Sequence, residues 1–416
     1  MYIKRTAELT LERLGKEFPG LVIYGPRQCG KSTLVHFAFD GKFSSVSLDD
    51  RDELSLALYN PKLFLESHPW PISIDEIQKA PNLLSAIKSE IDKAKLKWLK
   101  EGKSSSLMYV LTGSNQFSLQ QGVSESLAGR IGVVELSSMS LAEKEGWEGT
   151  AFVPDLSLLR KKEAQGRKAF DRKEIFHQIF VGGRPDVVCG NVSREDYFKS
   201  YLNTYLEKDV RKLLSADNET TFRVFRKYVA FRTGQEVRYD DLSSSVGIDV
   251  KTVKRWLSIL ETSGIIAFLH PFRKNVSNRI IKAPKRYFMD TGLAAFLCGW
   301  PSPERLEQCA MAGAFFETFV VSERIKSFLF QGKDYRQTLY YYRDIDQKEI
   351  DVLYERNGEI YPIEIKKGIN PTKPNKNFKV LSKYHLPIKT GFIIDCTDKI
   401  RPINANVYTL PIGLIE

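Results

Sequence analysis

The chain has 416 residues, of which 42% are hydrophobic and 27% are charged, a balance that is ordinary for a soluble globular protein. This length exceeds what one hydrophobic core organises, so roughly two to four domains are expected. Lys and Arg outnumber Asp and Glu by 62 to 51, and the net charge of +11 favours a polyanionic partner such as nucleic acid.

The sequence predicts no association with a membrane. The start, MYIKRTAELTLERLGKEF, has no apolar signal core, and no apolar run approaches the length that spans a bilayer. The cysteines show no metal-ligand spacing and are widely scattered, at Cys29, Cys189, Cys298, Cys309 and Cys396. Such cysteines are typical of reduced thiols, so a cytoplasmic location is expected.

A glycine-rich segment follows the first apolar run. Residues 21–24 (LVIY) predict a short buried strand, and residues 25–32 (GPRQCGKS) match the pattern G-x-x-x-x-G-K-S/T. In this pattern the loop N–H groups wrap a phosphate, Lys31 reaches the β- and γ-phosphates, and the Ser32 hydroxyl holds Mg²⁺. A helix that starts at Thr33 would point its N-terminus at the anion. The predicted nucleotide-binding residues are Gly25, Pro26, Arg27, Gln28, Cys29, Gly30, Lys31, Ser32 and Thr33.

Two acids end the strand predicted at residues 71–75 (PISID). In P-loop ATPases an acid at this place holds Mg²⁺ through water, and a following Glu polarises the attacking water. Asp75 and Glu76 fit these catalytic roles. An apolar run that ends in Asp-Glu is also a common solvated strand end, so the assignment depends on the glycine-rich loop beside it.

Two further polar residues are candidates for catalysis. Asn115 follows the strand predicted at residues 107–113 and would sense the γ-phosphate, although such residues also serve simply as turns. Arg130 follows Gly129 and would stabilise phosphoryl charge on a neighbouring copy of the chain in a homo-oligomer. The alternative for Arg130 is an ordinary surface arginine.

The motifs GPRQCGKSTL, ISIDEIQ, LTGSNQF and SLAGR resemble those of prokaryotic AAA-type ATPases that carry a C-terminal nuclease-like domain. The resemblance implies an α/β fold in which a P-loop AAA+ domain, with a parallel sheet between helices, occupies residues 1–150. A linker and helical lid would follow at 151–235, a winged helix with a basic strip at 236–284, and an α/β nuclease-like domain at 285–416.

Residues 239–269 predict a helix, a turn at Gly247, a second helix capped by Asp249, and then a strand. Helix–turn–helix followed by a strand is the pattern of a winged helix, which places its second helix in a DNA major groove. The basic residues outside this helix are Lys251, Lys254 and Arg255. Because these are few, a spacer or protein-contact module is an alternative, and Trp256 is expected at the edge of the inner face.

Residues 271–289 carry many Lys and Arg and no acid, interleaved with Phe and Tyr. Such a strip suits a phosphate backbone, and its first members are Arg273 and Lys274. An ordinary basic loop is the alternative interpretation.

Asn357-Gly358 is a strong signal for a β-hairpin with a two-residue turn. This turn pairs Arg356 with Glu359 and sets the register of both strands. Continued along the strands, the register places Asp351 opposite Glu364 on one face.

The same register places Glu349 opposite Lys366. Opposed residues have Cβ atoms about 4.5–5.5 Å apart, and two carboxylates at that distance repel unless a cation lies between them. Asp351 and Glu364 therefore indicate a site for Mg²⁺ or Mn²⁺, with Lys366 beside the metal.

The acid on one strand and Glu-x-Lys on the next resemble the PD-(D/E)xK nuclease core. The core implies catalytic roles for Asp351, Glu364 and Lys366 and an acid on an upstream helix, for which Glu317 is well placed as a further metal ligand. The motif KRYFMDTGLAAFL strengthens the resemblance. A hairpin with charges on an exposed face is also common, and this fold persists without activity.

Together these features predict a protein that binds and hydrolyses ATP with Mg²⁺ and couples its nucleotide state to a winged helix and a nuclease-like domain acting on nucleic acid. One alternative is a signalling or scaffolding ATPase whose C-terminal domain binds a protein partner without catalysis. The other is a DNA-binding regulator switched by nucleotide.

Overall fold

The computed structural model describes residues 2–114, 126–206, 219–272, 283–368, 376–384 and 386–416. Asn115, Arg273 and Lys274 lie outside these ranges. The helices of the described residues are α1 (Ala7–Glu17), α2 (Lys31–Ala38), α3 (Arg51–Tyr59), α4 (Pro61–Ser67), α5 (Pro81–Glu101), α6 (Leu141–Lys144), α7 (Leu156–Ala164), α8 (Arg172–Val181), α9 (Pro185–Val188), α10 (Arg194–Tyr201), α11 (Glu219–Phe231), α12 (Tyr239–Val246), α13 (Val250–Thr262), α14 (Thr291–Leu297), α15 (Pro303–Gln308) and α16 (Ala312–Leu329). The strands are β1 (Gly20–Tyr24), β2 (Ser44–Ser47), β3 (Ile72–Asp75), β4 (Tyr109–Gly113), β5 (Ile131–Glu135), β6 (Gln235–Glu236), β7 (Ile266–Leu269), β8 (Lys285–Phe288), β9 (Leu339–Arg343), β10 (Glu349–Arg356), β11 (Glu359–Ile365), β12 (Gly391–Asp395), β13 (Pro402–Asn404) and β14 (Val407–Pro411).

The N-terminal unit contains, among the described residues, five parallel strands in the order β2-β3-β4-β1-β5. β1 is buried along its whole length because its two faces join different hydrophobic cores. Leu21 and Ile23 belong to one core and Val22 to the other. Since the strands run in one direction, their carboxyl ends meet at one edge of the sheet, where α2 begins after β1.

The helices α6 to α11 follow β5 in the chain. α8 begins with a capping box, in which Asp171 and Glu174 each accept a hydrogen bond from the other's backbone N–H. α10 ends at Tyr201, and one π-helical turn, Leu202–Leu206, replaces its continuation.

Helices α12 and α13 are joined at Gly247, which adopts φ +76°, and Asp249 caps α13 by accepting a hydrogen bond from the Thr252 N–H. A small antiparallel sheet of order β6-β8-β7 follows. The expectation that Trp256 lies at the edge of the inner face is wrong. Its indole is fully buried and packs edge-on against Phe222 and Phe225 of α11.

The C-terminal unit is built, over the described residues, on a mixed sheet of order β13-β14-β12-β11-β10-β9, with α16 packed on it. The predicted hairpin register is confirmed, because the paired residues of β10 and β11 run from Val352 with Ile363 to Arg356 with Glu359. Asn357 and Gly358 adopt φ of +53° and +76°, as the two-residue turn requires.

One hydrophobic core runs through all of these units. It joins Leu11 of α1, Phe176 of α8, Trp256 of α13, Phe316 of α16 and Ile394 of β12. The units therefore pack together over an extended apolar contact instead of standing apart on linkers. No helix of the described residues is long and apolar enough to cross a membrane.

We expect Trp256→Ala to lower the free energy of unfolding by about 3–5 kcal/mol, since it removes a buried indole and leaves a cavity against α11. Urea denaturation followed by circular dichroism would measure the change. Tyr59→Ala, at a side chain that is 89% exposed, is the control and should change the free energy little. An equally small change for Trp256→Ala would contradict the packing described.

Candidate nucleotide-binding and C-terminal acidic sites

The glycine-rich loop lies between β1 and α2, as predicted. A Cβ atom on Gly25 would overlap the backbone of Leu136, so this position needs glycine. Gly30, at φ +92°, leads directly into α2. The buried Lys31 Nζ donates hydrogen bonds to the carbonyl oxygens of Gly25 (3.1 Å) and Pro26 (2.9 Å). The ammonium is thus held over the loop that would wrap a phosphate.

The predicted magnesium ligands lie together. Ser32 Oγ donates a hydrogen bond to Asp75 Oδ2 at 2.8 Å, and Thr112 Oγ1 donates to the other carboxylate oxygen. A cavity of about 220 Å³ adjoins them, walled also by His36 and Ser73. A hydroxyl and a carboxylate are oxygen donors that suit Mg²⁺ together with phosphate oxygens.

Glu76 follows at the end of β3 in a left-handed conformation, with φ +56°. Its Oε2 accepts hydrogen bonds from Ser114 Oγ at 3.1 Å and from the Gln78 amide. The carboxylate is therefore aimed at the end of β4. Ser114 directly follows β4 in the described part of the chain, whereas the candidate Asn115 lies just beyond it.

Arg130 lies at the far edge of the sheet from the loop. It precedes β5, whose first residue pairs with Gly20 at the start of β1, while the loop follows the end of β1. The strand of five residues separates the two edges by about 16 Å, so Arg130 would act only on another copy of the chain. Here its guanidinium pairs with both carboxylate oxygens of Asp92 at 2.7 and 3.0 Å, which lowers the pKa of Asp92.

Two buried arginines that carry no motif signature hold the loop from behind. Arg5 donates to the Cys29 carbonyl at 2.8 Å and pairs with Glu143 at 3.0 Å. Arg184 donates to the Arg27 carbonyl at 2.9 Å. Sequence reasoning missed both, because nothing local indicates that a distant arginine binds a loop carbonyl.

Arg184 also connects the loop to the segment after β8. Its guanidinium contacts Asp290 at 3.6 Å and lies over the Tyr201 ring at 4.6 Å from the centroid. Asp290 caps α14 and accepts a hydrogen bond from the Gly183 N–H. The backbones of Gly182, Gly183 and Gly292 approach their neighbours so closely that an added Cβ would clash, at 2.5 Å from the Val181 carbonyl in the case of Gly292.

A second cavity of about 320 Å³ opens beside Gly30 and Thr33 on the other side of α2. Tyr2 and Phe37, whose rings stack at 3.9 Å, form one wall, and Pro185 of α9 forms another. Aromatic and apolar walls next to a phosphate loop suit a nucleotide base. The sequence analysis missed this pocket because its walls come from distant parts of the chain.

In the C-terminal unit, Lys285 of β8 joins two acids. Its Nζ binds Glu317 at 2.8 Å and Glu349 at 2.6 Å, and the Tyr287 hydroxyl also donates to Glu317 at 2.7 Å. The predicted register places Glu349 opposite Lys366, but the partners of the Glu349 carboxylate are other residues. Glu349 contacts Lys285, from another sheet.

The predicted acidic pair lies as expected beside Lys366. Lys366 Nζ is 2.7 Å from Glu364 Oε2 and 3.6 Å from Asp351 Oδ2, and Asp351 accepts a hydrogen bond from the Ile365 N–H. Burial, and next the charge of Asp351, raise the pKa of Glu364 to about 8. Burial likewise raises the pKa of Glu317. The raised pKa of Glu364 agrees with the repulsion between Asp351 and Glu364 that the register predicts.

The described residues contain no group of three or more His, Cys, Asp or Glu arranged to hold a metal ion. The predicted ligand set of Asp351, Glu364 and Glu317 is therefore not preassembled, since Lys366 and Lys285 contact these acids. The donors are oxygen atoms, so the set fits Mg²⁺ or Mn²⁺ chemically once the carboxylates turn toward one point.

The basic residues predicted to contact nucleic acid are only partly within the described chain. Lys251, Lys254 and Arg255 are exposed on α13. The Lys254 ammonium lies 5.2 Å from the centre of the Tyr239 ring.

Family models match three successive parts of the chain. Residues 17–144 match the AAA domain, residues 172–304 a domain of unknown function (DUF8612), and residues 312–415 a second domain of unknown function (DUF4143). The first match and the loop geometry define an AAA-type P-loop ATPase domain at the N-terminus, followed by a DUF4143 domain at the other end.

The uncharacterized proteins Rv2008c of Mycobacterium tuberculosis and Mb2031c of Mycobacterium bovis are each 28% identical to this chain over 374 residues. The match covers 89% of this chain and 75% of theirs. Among solved structures, the Walker-type ATPase paby2304 of Pyrococcus abyssi is 13% identical, with a TM-score of 0.44 over 70% of this chain and 94% of its own. A RuvB mutant of Thermotoga maritima is 15% identical, with a TM-score of 0.30 over 63% of this chain and 87% of its own.

We expect Glu364→Gln to change the pH dependence of stability. Because folding raises the pKa of Glu364, the folded state binds more protons than the unfolded state between the ordinary carboxylate pKa and about pH 8, and stability falls as the pH rises through that window. The variant should lose this decline. Melting temperatures from pH 5 to 9 would measure it, with Glu359→Gln, at a partly exposed hairpin carboxylate, as the control. A wild-type decline that persists in Glu364→Gln would exclude this carboxyl as its origin.

Proposed function

We propose that this chain is an ATPase whose nucleotide state controls a helix–turn–helix unit and a nuclease-like C-terminal domain that act on nucleic acid. The observation that carries the proposal is the Ser32–Asp75 hydrogen bond at 2.8 Å beside Lys31. It supports a magnesium-nucleotide site at the edge of the parallel sheet. The AAA domain match supports ATP binding and hydrolysis there.

In this site each residue has a separate task. The loop N–H groups and Lys31 bind the phosphates, Ser32 and Asp75 hold Mg²⁺, and Glu76 orients a water for attack on the γ-phosphate. Bound Mg²⁺ neutralises charge on the phosphate oxygens. The cavity beside Tyr2, Phe37 and Pro185 takes the base.

The contact between Arg184 and the Arg27 carbonyl provides the route for coupling. A loop that tightens around phosphate displaces this carbonyl and with it a buried guanidinium. Arg184 contacts Asp290, which follows β8, and β8 carries Lys285. Nucleotide state would thus bias the position of Lys285 against Glu317 and Glu349.

The C-terminal acids support a metal-dependent nuclease. Asp351, Glu364 and Glu317 would bind Mg²⁺ or Mn²⁺, and Lys366 would orient the attacking water or neutralise phosphate charge. Exposed Lys251, Lys254 and Arg255 on α13 suit the DNA contact of a winged helix.

The ammonium groups among these acids favour a second candidate function. Lys285 and Lys366 already pair with Glu317, Glu349 and Glu364. A domain whose acids are satisfied internally would serve as a nucleotide-switched module that binds a protein partner without cleavage. Metal-dependent cleavage separates the two functions.

We expect Lys31→Ala to reduce ATP hydrolysis by about 100-fold or more, since it removes the cation that binds the transferred phosphoryl group. Phosphate release at saturating ATP would measure the rate. Lys62→Ala, at an exposed lysine of α4, is the control. Normal turnover by Lys31→Ala would remove the loop from the ATP site.

Glu76→Gln separates binding from hydrolysis. It should retain ATP affinity and slow hydrolysis by about 100- to 10,000-fold, because an amide cannot polarise the water. Loss of ATP binding instead would show that Glu76 supports the fold of the site.

We expect the wild type to cleave plasmid or single-stranded DNA with Mg²⁺ or Mn²⁺, and Asp351→Ala to lose this activity. Gel assays with and without ATP would test it. Asp346→Ala, at an exposed acid before the hairpin, is the matched control. No cleavage under any of these conditions would sink the nuclease proposal and favour the protein-binding alternative.

A further inference from the structure

A third cavity, of about 310 Å³, lies where the helix–turn–helix unit meets the C-terminal sheet. Its walls come from the end of α11, the start of α12, and strands β6, β8, β9 and β10. We call it the arginine pocket after four of its wall residues, Arg232, Arg238, Arg286 and Arg343. Neither the nucleotide site nor the hairpin acids account for it.

The acids of the arginine pocket are already paired. Glu236 contacts Arg343 at 3.4 Å, Asp241 contacts Arg238 at 3.9 Å, and Glu349 contacts Lys285 at 2.6 Å.

Over the described residues, Arg232 and Arg286 have no carboxylate partner. Arg232 bonds only the neutral oxygens of Gln235 and Tyr228. The pocket therefore has an excess of positive charge.

Of these two arginines, Arg286 gives the stronger indication that the pocket binds an anion. The residue is only 2% exposed, its Nη1 reaches the Glu236 carbonyl at 3.4 Å, and its Nε has no hydrogen-bond partner among the described residues. Burial, and then the neighbouring charge of Arg232, lower the pKa of Arg286 to about 10. A guanidinium buried beside a like charge is costly unless an anion offsets it.

The start of α12 adds to the same field. Arg238 stands at its N-cap without a side-chain hydrogen bond to the first turn, and the positive end of the helix dipole borders the pocket, where the first-turn acids Asp240 and Asp241 offset part of it. Together with the unpaired Arg286, this end of the helix favours an anion.

We propose that the arginine pocket binds a phosphoryl group. Several planar guanidinium groups match the oxygens of a phosphoryl dianion better than a single carboxylate does. The pocket is larger than one phosphate ion, so it has room for part of the molecule that carries the phosphate. The inference goes beyond the ATP site, and a polynucleotide as the source of the phosphate rests on the proposed action on nucleic acid.

Lys285 connects the arginine pocket to the C-terminal acids. It lines the arginine pocket and also binds Glu317 and Glu349. A phosphoryl group in the pocket would compete with these acids for the ammonium. Phosphate binding would therefore loosen the ion pairs that Lys285 makes with Glu317 and Glu349.

Calorimetric titration of inorganic phosphate into the full chain tests the proposal. The protein carries Lys31→Ala, so that the glycine-rich loop does not compete for phosphate. The buffer contains no other oxyanion that resembles phosphate. Phosphate should bind, and adding Arg232→Gln should weaken binding about 10-fold or more, since it removes a charge-assisted hydrogen bond. Arg223→Gln, on the exposed side of the same helix, is the matched control and should bind like its parent.

Arg286→Gln provides a second variant, and its melting temperature reports whether it folds. A folded Arg286→Gln protein should lose phosphate binding as Arg232→Gln does; if it does not fold, exposed Arg232 decides the outcome. Absence of phosphate binding to the Lys31→Ala protein, or equal binding by its Arg232→Gln and Arg223→Gln derivatives, overturns the proposal.

Short oligothymidylates with a 5′-phosphate or a 5′-hydroxyl distinguish the sources of the phosphate. Tighter binding of the phosphorylated strand, lost in Arg232→Gln, supports a nucleic-acid end, whereas inorganic phosphate binding with no such preference supports a small ligand. The experiments can reject the phosphate pocket without rejecting the nuclease proposal, and the reverse. Phosphate binding without DNA cleavage retains the pocket alone, and cleavage without phosphate binding rejects it.

Discussion

The buried guanidinium of Arg184 is the polar contact that joins the nucleotide loop to the segment after β8. It joins a carbonyl of the glycine-rich loop, the ring of Tyr201 and the carboxylate of Asp290, and it is only 1% exposed. Breaking one of these contacts would leave a buried charge with fewer partners, which costs far more than losing a surface ion pair. Arg184 therefore ties the loop to the segment after β8 through buried contacts.

Only a short segment, from Lys285 to Asp290, lies between the two candidate sites. Lys285 begins β8 and Asp290 follows it, so about 17 Å of chain separates the ammonium that pairs with Glu317 from the carboxylate that contacts Arg184. The charges near the hairpin are balanced by lysines that belong to different strands. In the coupling that we propose, a displacement of β8 would alter this balance through Lys285.

The loop, the Asp75–Glu76 pair and the hairpin register were predictable because each depends on residues adjacent in sequence. The Asn-Gly turn alone fixed which residues of β10 and β11 oppose each other. What was missed depends on residues far apart: Arg5 and Arg184 on the loop carbonyls, Tyr2 in the base pocket, and Lys285 as the partner of Glu349. Periodicity places a residue on a face of its own strand, but it cannot identify a partner from another sheet.

The glycines around Arg184 have a mechanical consequence. Gly182 and Gly292 leave no space for a side chain between the α8–α9 turn and α14, and Gly183 lies as closely against the backbone of Met139. Contact of backbone against backbone is stiff, because no rotamer can adjust to absorb a small shift. This junction would therefore deform little if the nucleotide loop moved, and α14 would be displaced with it. Bending during the cycle would have to occur elsewhere in the chain.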